Sequence, residues 1–405
     1  LVFPLVMLMT TMAAGGMGGA VASAVARALG GGRRDEAEAI LAHALIIALV
    51  LGVVFSVAAI FGGPALYRAM GGTGGAFNAA IRYSDIIFAG AVAFWVLNVL
   101  AAVLRGTGNM VFPALVSVAG AVVLIPLSPA LIVGWGPFPR LGVAGGAAAL
   151  IAYYVAGAAA LLVHILLGRN ILRLHLRGTR LRAQTFGQIL GVGAISSVMT
   201  VQSNLMVIVT TGLVGLFGTA ALAGYGLAAR LDYLLIPPVF ALGTAAVTMV
   251  GTNIGAGQVA RAERIAWVAA AIAFGLCALI GVFVSIVPSA WLGLFSGDAA
   301  VLRFGGLYLR IVAPFYGFIG AALLLFFASQ GAGQMRWPFI GGLLRFVIVI
   351  VIGGTVVRIF GAGLPALFAV IAVSAVTFGT VNALGIGSGA WRQVRAPSPV
   401  SLAGG

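Results

Sequence analysis

Two carboxylates inside apolar runs are the residues of this chain best suited to chemistry. The sequence contains seven acidic residues. Five fall in polar connectors or near helix starts, where negative charge is favourable and a structural role is expected: Asp35, Glu36, Glu38, Glu263 and Asp298. The other two are Asp85 and Asp232. An ionisable group within a long apolar segment is a functional candidate by default.

Asp85 has a basic residue nearby on the same predicted helix. It follows Arg82 by three residues, which favours a local ion pair on one helix face. Two alternatives remain open, namely ion coupling and a pairing with Arg310. We therefore name Asp85 as a candidate ion-binding residue.

Asp232 lies near two adjacent prolines. Pro237 and Pro238 are expected to disturb the helix and to free backbone carbonyl groups, because proline has no N–H to donate. A carboxylate beside freed carbonyls could bind a cation. Asp232 is therefore a second candidate for binding an ion or a substrate.

Uncharged polar residues inside apolar runs form a weaker set of candidates. The most polar patch includes Gln202 and Asn204, and it indicates either hydrogen bonds between packed helices or a wall facing substrate or ions. Asn98 and Tyr316 are less polar examples of the same pattern. Arg345 is an arginine inside an apolar run, where it could bind an anionic group.

Other kinds of chemistry lack the residues that they need. All 22 basic residues are arginine, so the lysine of a phosphate-binding loop or a Schiff base is missing. Cys277 is the single cysteine and lies in an apolar run, which excludes a disulfide framework and a cysteine metal site. No HExxH or GxSxG motif occurs. We expect neither an enzyme nor a resident metal or cofactor.

The elements that position these residues are membrane-spanning helices. Hydrophobic residues make up 62% of the 405-residue chain, and charged residues only 7%. So few charges cannot cover the surface of a soluble protein of this size. Long apolar runs predict an all-α polytopic membrane protein with about 11 spans. The predicted spans are 1–28, 40–61, 80–104, 112–134, 142–167, 187–214, 222–250, 263–287, 304–328, 338–359 and 364–386.

The spans form a duplicated unit. An ungapped shift of 225 residues places Tyr83 on Tyr308 and pairs four glycine connectors, which lie within residues 27–38, 106–113, 251–263 and 331–338. The paired glycines are Gly30 with Gly255, Gly32 with Gly257, Gly106 with Gly331 and Gly108 with Gly333. This register indicates two pseudo-symmetric six-helix lobes of equal orientation. The span at 187–214 has no partner in the first lobe, so we expect the intact protein to have 12 spans.

Arginines indicate which connectors face the cytoplasm. The set that includes the glycine connectors holds about 14 arginines and the opposite set about 7. The positive-inside rule makes the first set cytoplasmic, and it explains the net charge of +15 without nucleic-acid binding. We predict an N-terminal lobe at 1–168, a basic linker at 169–186, a C-terminal lobe at 187–390 and a polar cytoplasmic tail at 391–405. The linker is expected to lie on anionic lipid through Arg169, Arg173, Arg177 and Arg180.

Several connectors resemble motifs of one transporter family. Residues 26–37, echoed by residues 250–257, resemble the paired cytoplasmic motifs of the multidrug and toxic compound extrusion (MATE) family. Residues 105–109 and 330–334, each followed by a proline, resemble its second paired motif. Residues 223–228 resemble the segment that joins its seventh and eighth helices. The chain is thus similar to a MATE transporter that lacks the first helix.

This resemblance implies a function and a mechanism. MATE transporters have two six-helix lobes around a central cavity, with alternating access driven by inward flow of H⁺ or Na⁺. The implied substrates are small amphipathic or cationic organic molecules, such as drugs, toxins or metabolites, exported across the bacterial cytoplasmic membrane. We expect a monomer whose partners are the substrate and membrane lipids. A related lipid or glycolipid flippase is the alternative.

The family's usual ion-binding acids cannot be assigned to positions in this chain. In many members an aspartate lies on the first helix, which is absent here. Some members have a carboxylate in the seventh helix, near Gln202 to Asn204 of this chain, and others have an aspartate in the tenth, where Phe318 and Ile319 stand. Asp85 and Asp232 therefore remain the candidates for coupling.

Overall fold

The computed structural model describes residues 2–168, 171–173 and 181–392. Helices are the regular secondary structure of these residues. Among them, ten helices are long and apolar enough to cross a membrane, or eleven if one bent pair counts as a single span. This result confirms the predicted all-α polytopic fold with about 11 spans. Half of the predicted linker, including Arg169, Arg177 and Arg180, lies outside the described residues, as does the tail from residue 393.

The first half of the chain contains seven helices in its described part and leads into an eighth. They are α1 (Phe3–Thr11), α2 (Gly18–Gly30), α3 (Arg34–Ala69), α4 (Gly74–Ala89), α5 (Ala91–Gly106), α6 (Val111–Val133), α7 (Val143–Leu166) and α8 (Ala183–Gly215). A π-helical turn at Met12–Met17 joins α1 to α2, which together make one span. The span predicted at 80–104 is the pair α4 and α5, bent by 47°. Gly90 lies at this bend, where a Cβ atom would be 2.5 Å from the Ile151 side chain on α7.

The second half continues with eight helices in its described part. They are α9 (Thr219–Gly255), α10 (Val259–Ile286), α11 (Ser289–Leu292), α12 (Ala299–Val312), α13 (Tyr316–Ala332), α14 (Arg336–Val347), α15 (Gly353–Arg358) and α16 (Leu364–Gly387). A 3₁₀ turn at Ala313–Phe315 joins α12 to α13, and a π-helical turn at Ile348–Ile352 joins α14 to α15. Each joined pair forms one span.

The chain divides into two compact units, Leu1–Ser197 and Val198–Gly405. The boundary between them falls within α8. The predicted limits of the lobes and the linker, at residues 168 and 187, stay predictions. Each unit is described separately below.

The two prolines of α9 disturb the helix less than expected. Pro237 and Pro238 lie inside a helix of 37 residues that continues on both sides of them. Each proline removes one N–H donor, which leaves the carbonyl groups of Tyr233 and Leu234 without their usual helical partner. The freed carbonyls lie within an unbroken helix, because the hydrogen bonds before and after them remain.

The glycine connectors end helices in the same way in both units. α2 ends at Gly30 and α9 at Gly255, and two residues later Gly32 and Gly257 have φ angles of 72° and 73°. At the other paired connectors the φ angles are 89° for Gly108 and 73° for Gly333. Only glycine adopts this left-handed region without strain. These positions therefore terminate helices.

Gly106 and Gly331 allow close contact between helices. A Cβ atom on Gly106 of α5 would lie 2.7 Å from the carbonyl oxygen of Ala22 on α2. A Cβ atom on Gly331 of α13 would lie 2.6 Å from the carbonyl oxygen of Val247 on α9. Ala22 and Val247 are themselves related by the 225-residue shift. The duplication therefore extends from the sequence into the helix packing.

Two glutamates related by the same shift hold the chain that follows the last spanning helix of each repeat. In the first unit, Glu38 accepts a hydrogen bond of 3.0 Å from the backbone N–H of Arg173. In the second, Glu263 accepts from Nε of Arg392 at 3.1 Å and from its Nη2 at 2.8 Å. This hydrogen bonding raises the pKa of Arg392. Glu263 thus connects the start of α10 to the segment after α16.

Replacement of Glu263 should loosen that segment. In Glu263→Gln a neutral amide replaces the carboxylate that accepts both Arg392 bonds, so we expect trypsin to cleave after Arg392 faster, by a factor of about two to five. Limited digestion followed by mass spectrometry measures the rate. The control is Glu36→Gln, which removes an i,i+3 pair with Arg33 in the first unit. Equal cleavage rates in Glu263→Gln and the control would contradict the expected role.

Candidate functional site

Asp232 lies within a spanning helix of the second unit. It is the fourteenth residue of α9, about 20 Å from the start of a helix about 55 Å long, which exceeds the hydrocarbon thickness of about 30 Å. Its Oδ2 accepts a hydrogen bond of 2.8 Å from the hydroxyl of Tyr308 on α12. Its Oδ1 is buried and has no hydrogen-bond partner in the protein. One carboxylate oxygen therefore has a hydrogen bond from Tyr308, and the other is buried without a bond of normal geometry.

Tyr316 and a small cavity lie beside this carboxylate. Tyr316, the first residue of α13, is 1% exposed, and its buried hydroxyl lies close enough to Asp232 to interact with the carboxylate. A cavity of about 30 Å³ is lined by Asp232, Tyr316, Cys277 and apolar residues. That volume accommodates a group the size of a water molecule.

Arg345 brings a positive charge to the same region from α14. It interacts electrostatically with Asp232, Tyr308 and Tyr225. Its guanidinium carbon lies 5.5 Å above the ring of Phe378 on α16, which is a favourable position for a cation. We call Asp232, Tyr225, Tyr308, Tyr316 and Arg345 the Asp232 cluster. The cluster combines one carboxylate, one guanidinium and three phenol groups, and four helices contribute them.

The cluster is a feature of one repeat and not of the duplicated scaffold. The shift of 225 residues relates Asp232 to Met7 and Arg345 to Gly120. It also relates Phe378 to Tyr153, whose ring would lie 2.0 Å from a Cβ atom on Gly120. The first unit therefore keeps the aromatic contact but carries neither charge. Because the scaffold forms without these charges, a role in function explains them better than a role in folding.

Comparison with known proteins identifies the family. A family model described as MatE matches residues 1–130 and 194–355. The chain belongs to the MATE family of transporters.

Relatives of this MATE transporter carry names that describe transport. It is 26% identical over 349 residues to the FAD transporter of Shewanella oneidensis, covering 86% of this chain and 76% of that protein. It is 23% identical over 379 residues to the probable multidrug resistance protein YoeA of Bacillus subtilis, covering 91% and 82%. It is 22% identical over 320 residues to the probable multidrug resistance protein NorM of Thermotoga maritima, covering 78% and 68%.

Solved structures have the same fold. An outward-facing multidrug resistance MATE family transporter matches with a TM-score of 0.87 at 25% identity, covering 96% of this chain and 87% of that one. A MOP superfamily transporter from Pyrococcus furiosus matches with a TM-score of 0.88 at 24% identity, with the same coverage. These findings make the protein a multi-pass membrane transporter of the MATE efflux type.

The polar patch of α8 makes local contacts in this transporter. Gln202 donates from Nε2 to the carbonyl oxygen of Gly342 on α14 at 2.6 Å. Asn204 donates from Nδ2 to the carbonyl of Thr200 on its own helix at 2.9 Å. In the first unit, Asn98 donates to the carbonyl of Phe94 at 2.9 Å. These bonds occupy amide donors, and substrate binding by the three residues stays a prediction.

Asp85 does not form the expected local pair. It is half-buried within electrostatic range of Tyr67, whereas Arg82 is exposed, and the two form no salt bridge within 4.0 Å in the described part of the chain. The prediction of a local ion pair is therefore wrong. Despite their spacing, one side chain is half-buried and the other is exposed. Ion coupling at Asp85 and its pairing with Arg310 stay predictions.

Sequence reasoning missed two members of the cluster. Tyr308 served only to mark the repeat, and Tyr225 was noted only within a resemblance to a family segment. Their aromatic rings contact each other edge to face at 5.3 Å, and Tyr308 reaches Asp232 across 76 residues of sequence. The available signal was that both tyrosines interrupt apolar runs, where a hydroxyl needs a hydrogen-bond partner.

Proposed function

We propose that this MATE transporter is a secondary antiporter, which exports small amphipathic organic molecules carrying a positive group in exchange for protons. The observation that carries the proposal is the Asp232 carboxylate, set within a span with Oδ1 buried and unpartnered. It can hold a proton or the positive group of a substrate, but not both together. Because the two ligands exclude each other, one site can link their movements in opposite directions by alternating access.

A proton suits this site better than a sodium ion. The guanidinium of Arg345 lies within electrostatic range of Asp232. A proton forms a neutral acid with the carboxylate and leaves only the existing charge. Coupling to Na⁺ is the alternative for the experiment below.

The arginine distribution supports an orientation for the proposed antiporter. The connector set with about 14 arginines includes all four glycine connectors, and the positive-inside rule favours a cytoplasmic location for it. In the bacterial cytoplasmic membrane, α9 would then begin on the outer side and end in the cytoplasm. Asp232, about 20 Å from the outer end of α9, would receive protons from outside.

The names of the relatives guide the choice of cargo. Two are described as probable multidrug resistance proteins and one as an FAD transporter. All three names point to organic molecules, so we propose soluble organic molecules as the first cargo to test. A lipid flippase is the second outcome that the same experiment can detect.

Reconstituted transporter provides the test. Proteoliposomes receive first a pH gradient without Na⁺ and then a Na⁺ gradient without a pH gradient, while organic dyes and a fluorescent lipid are followed. We expect the pH gradient to drive dye against its concentration gradient and the lipid to stay in its leaflet. Lipid flipping with no movement of any dye under either gradient would overturn the proposal. Dye movement under the Na⁺ gradient alone would show that the coupling ion is Na⁺ and not the proton.

A further inference from the structure

A buried histidine of the first unit has both ring nitrogens hydrogen-bonded to the backbone. His43 lies on α3 and is 0% exposed. Its Nδ1 is 2.7 Å from the carbonyl oxygen of Ala39, one turn earlier on α3. Its Nε2 is 2.9 Å from the backbone nitrogen of Arg182, the residue before α8. A carbonyl oxygen only accepts and a backbone N–H only donates, so Nδ1 carries the proton of the ring and Nε2 carries none. The contact therefore requires neutral imidazole.

This contact holds the beginning of α8 against α3. The ring of Phe186, in the first turn of α8, packs edge to face on His43 at 4.6 Å. Farther along α8, a Cβ atom on Gly193 would lie 2.6 Å from the sulfur of Met17, beside α2. The part of α8 up to Ser197 belongs to the first unit, and the rest belongs to the second. Because α8 is the covalent connection between the two units, these contacts attach that connection to the first unit.

The repeated scaffold does not require a histidine at this position. The shift of 225 residues relates His43 to Val268 on α10, which is 53% exposed, whereas it relates Glu38 to another glutamate, Glu263. The histidine therefore occurs in the repeat whose third helix carries the start of α8. An apolar side chain would fill the same space, but it would leave the N–H of Arg182 without its acceptor. Imidazole supplies an acceptor that a proton can remove.

We propose that His43 is a pH-sensitive latch, which holds the start of α8 on α3 at neutral pH and releases it when the cytoplasmic side becomes acidic. A second proton on the ring turns Nε2 into a donor, so that two N–H groups would face each other. The ring is buried while the contact exists, so protonation stabilises the state in which the contact has opened. The side of the membrane rests on the orientation proposed above, whereas the pH dependence does not.

The charged groups around the latch do not replace this contact. On the elements packed around His43 they are Glu36 and Glu38 of α3, Arg27 of α2, Arg105 of α5, and Arg173 and Arg182 ahead of α8. The two carboxylates already have arginine partners, Arg33 for Glu36 and Arg34 for Glu38, each at 3.3 Å. Neither of them is left to hold a protonated His43 in place. Protonation of the ring therefore opens the latch.

Hydrogen exchange of the purified transporter in detergent tests the latch without any gradient. Mass spectrometry follows the protection of residues 181–190, corrected for the intrinsic dependence of exchange on pH. A histidine in water titrates at about pH 6.5, so a change from pH 7.5 to pH 5.5 should lower this protection about tenfold. Residues 259–272 of α10, which the repeat relates to residues 34–47, are the internal reference and should keep their protection.

Variants show whether His43 causes the effect. In His43→Gln an amide oxygen can accept from the N–H of Arg182 without titrating, so protection should stay high at both pH values. His43→Leu fills the space without an acceptor and should give low protection at both. The control replaces the other two histidines together, His164→Gln with His175→Gln, and should behave as wild type. Thermal unfolding checks that each variant folds.

Three results would overturn the proposal. They are equal wild-type protection of residues 181–190 at both pH values, a pH effect that persists in His43→Gln, and a pH effect that is lost in the control. If His43→Gln does not fold, persistence of the effect in His43→Leu has the same meaning. Because no gradient is applied, failure of the latch leaves the proposed antiport at Asp232 standing, and failure of the antiport leaves the latch standing.

Discussion

Asp232→Asn is expected to abolish proton-driven accumulation of cargo while the protein still folds. A gradient of one pH unit supplies about 1.4 kcal/mol for each proton, enough for about tenfold accumulation of cargo per proton exchanged. Asparagine has nearly the same shape and can still accept the hydrogen bond from Tyr308, but it neither binds nor releases a proton. The expected accumulation ratio therefore falls from about ten to one.

The measurement is dye accumulation in proteoliposomes at a fixed pH gradient. Asp298→Asn is the matched control in the same unit, because Asp298 is exposed and caps α12 by accepting from the N–H groups of Ala300 and Val301 at 2.8 and 3.2 Å. Asparagine caps helices about as well as aspartate, so this control should transport normally. Full accumulation of dye by Asp232→Asn would show that Asp232 does not couple proton flow to transport. If Asp85→Asn then lost accumulation, coupling would belong to the first unit.

Gly331→Ala is expected to give a large loss of stability. The new methyl group would lie 2.6 Å from the carbonyl oxygen of Val247 and 3.1 Å from its Cα. Both are backbone atoms, so α9 and α13 must separate to relieve the clash. Overpacking of this kind costs about 1–3 kcal/mol. The related change Gly106→Ala meets the carbonyl oxygen of Ala22 at 2.7 Å and should cost a similar amount.

Thermal unfolding in detergent measures both changes. Gly275→Ala on α10 is the control, since a Cβ atom there meets nothing within 4 Å. It should stabilise the helix slightly, because alanine is favoured over glycine in helices by about 0.5–1 kcal/mol. Equal melting temperatures for Gly331→Ala and Gly275→Ala would show that α9 and α13 are not in close contact.

Much of this architecture could be read from the residue pattern. Apolar runs specify the spanning helices because each run must satisfy its own backbone hydrogen bonds within the bilayer. The 225-residue register predicted the paired connectors, and the same register recurs in the contacts of Gly106 and Gly331. Asp232 was predicted as a candidate binding residue because its carboxylate lies in an apolar run. Tyr316 was predicted because its hydroxyl lies in another apolar run.

Only the tertiary structure decided which of these residues meet. The spacing of Arg82 and Asp85 favoured an ion pair that is absent, and Asn98 turned out to bond to its own helix. Tyr308 and Arg345 join Asp232 from helices far along the chain. Periodicity determines which face of a helix is apolar, but the partners on that face depend on how neighbouring helices rotate and approach. Those approaches are set by small contacts such as Gly331 on Val247, which a single helix does not reveal.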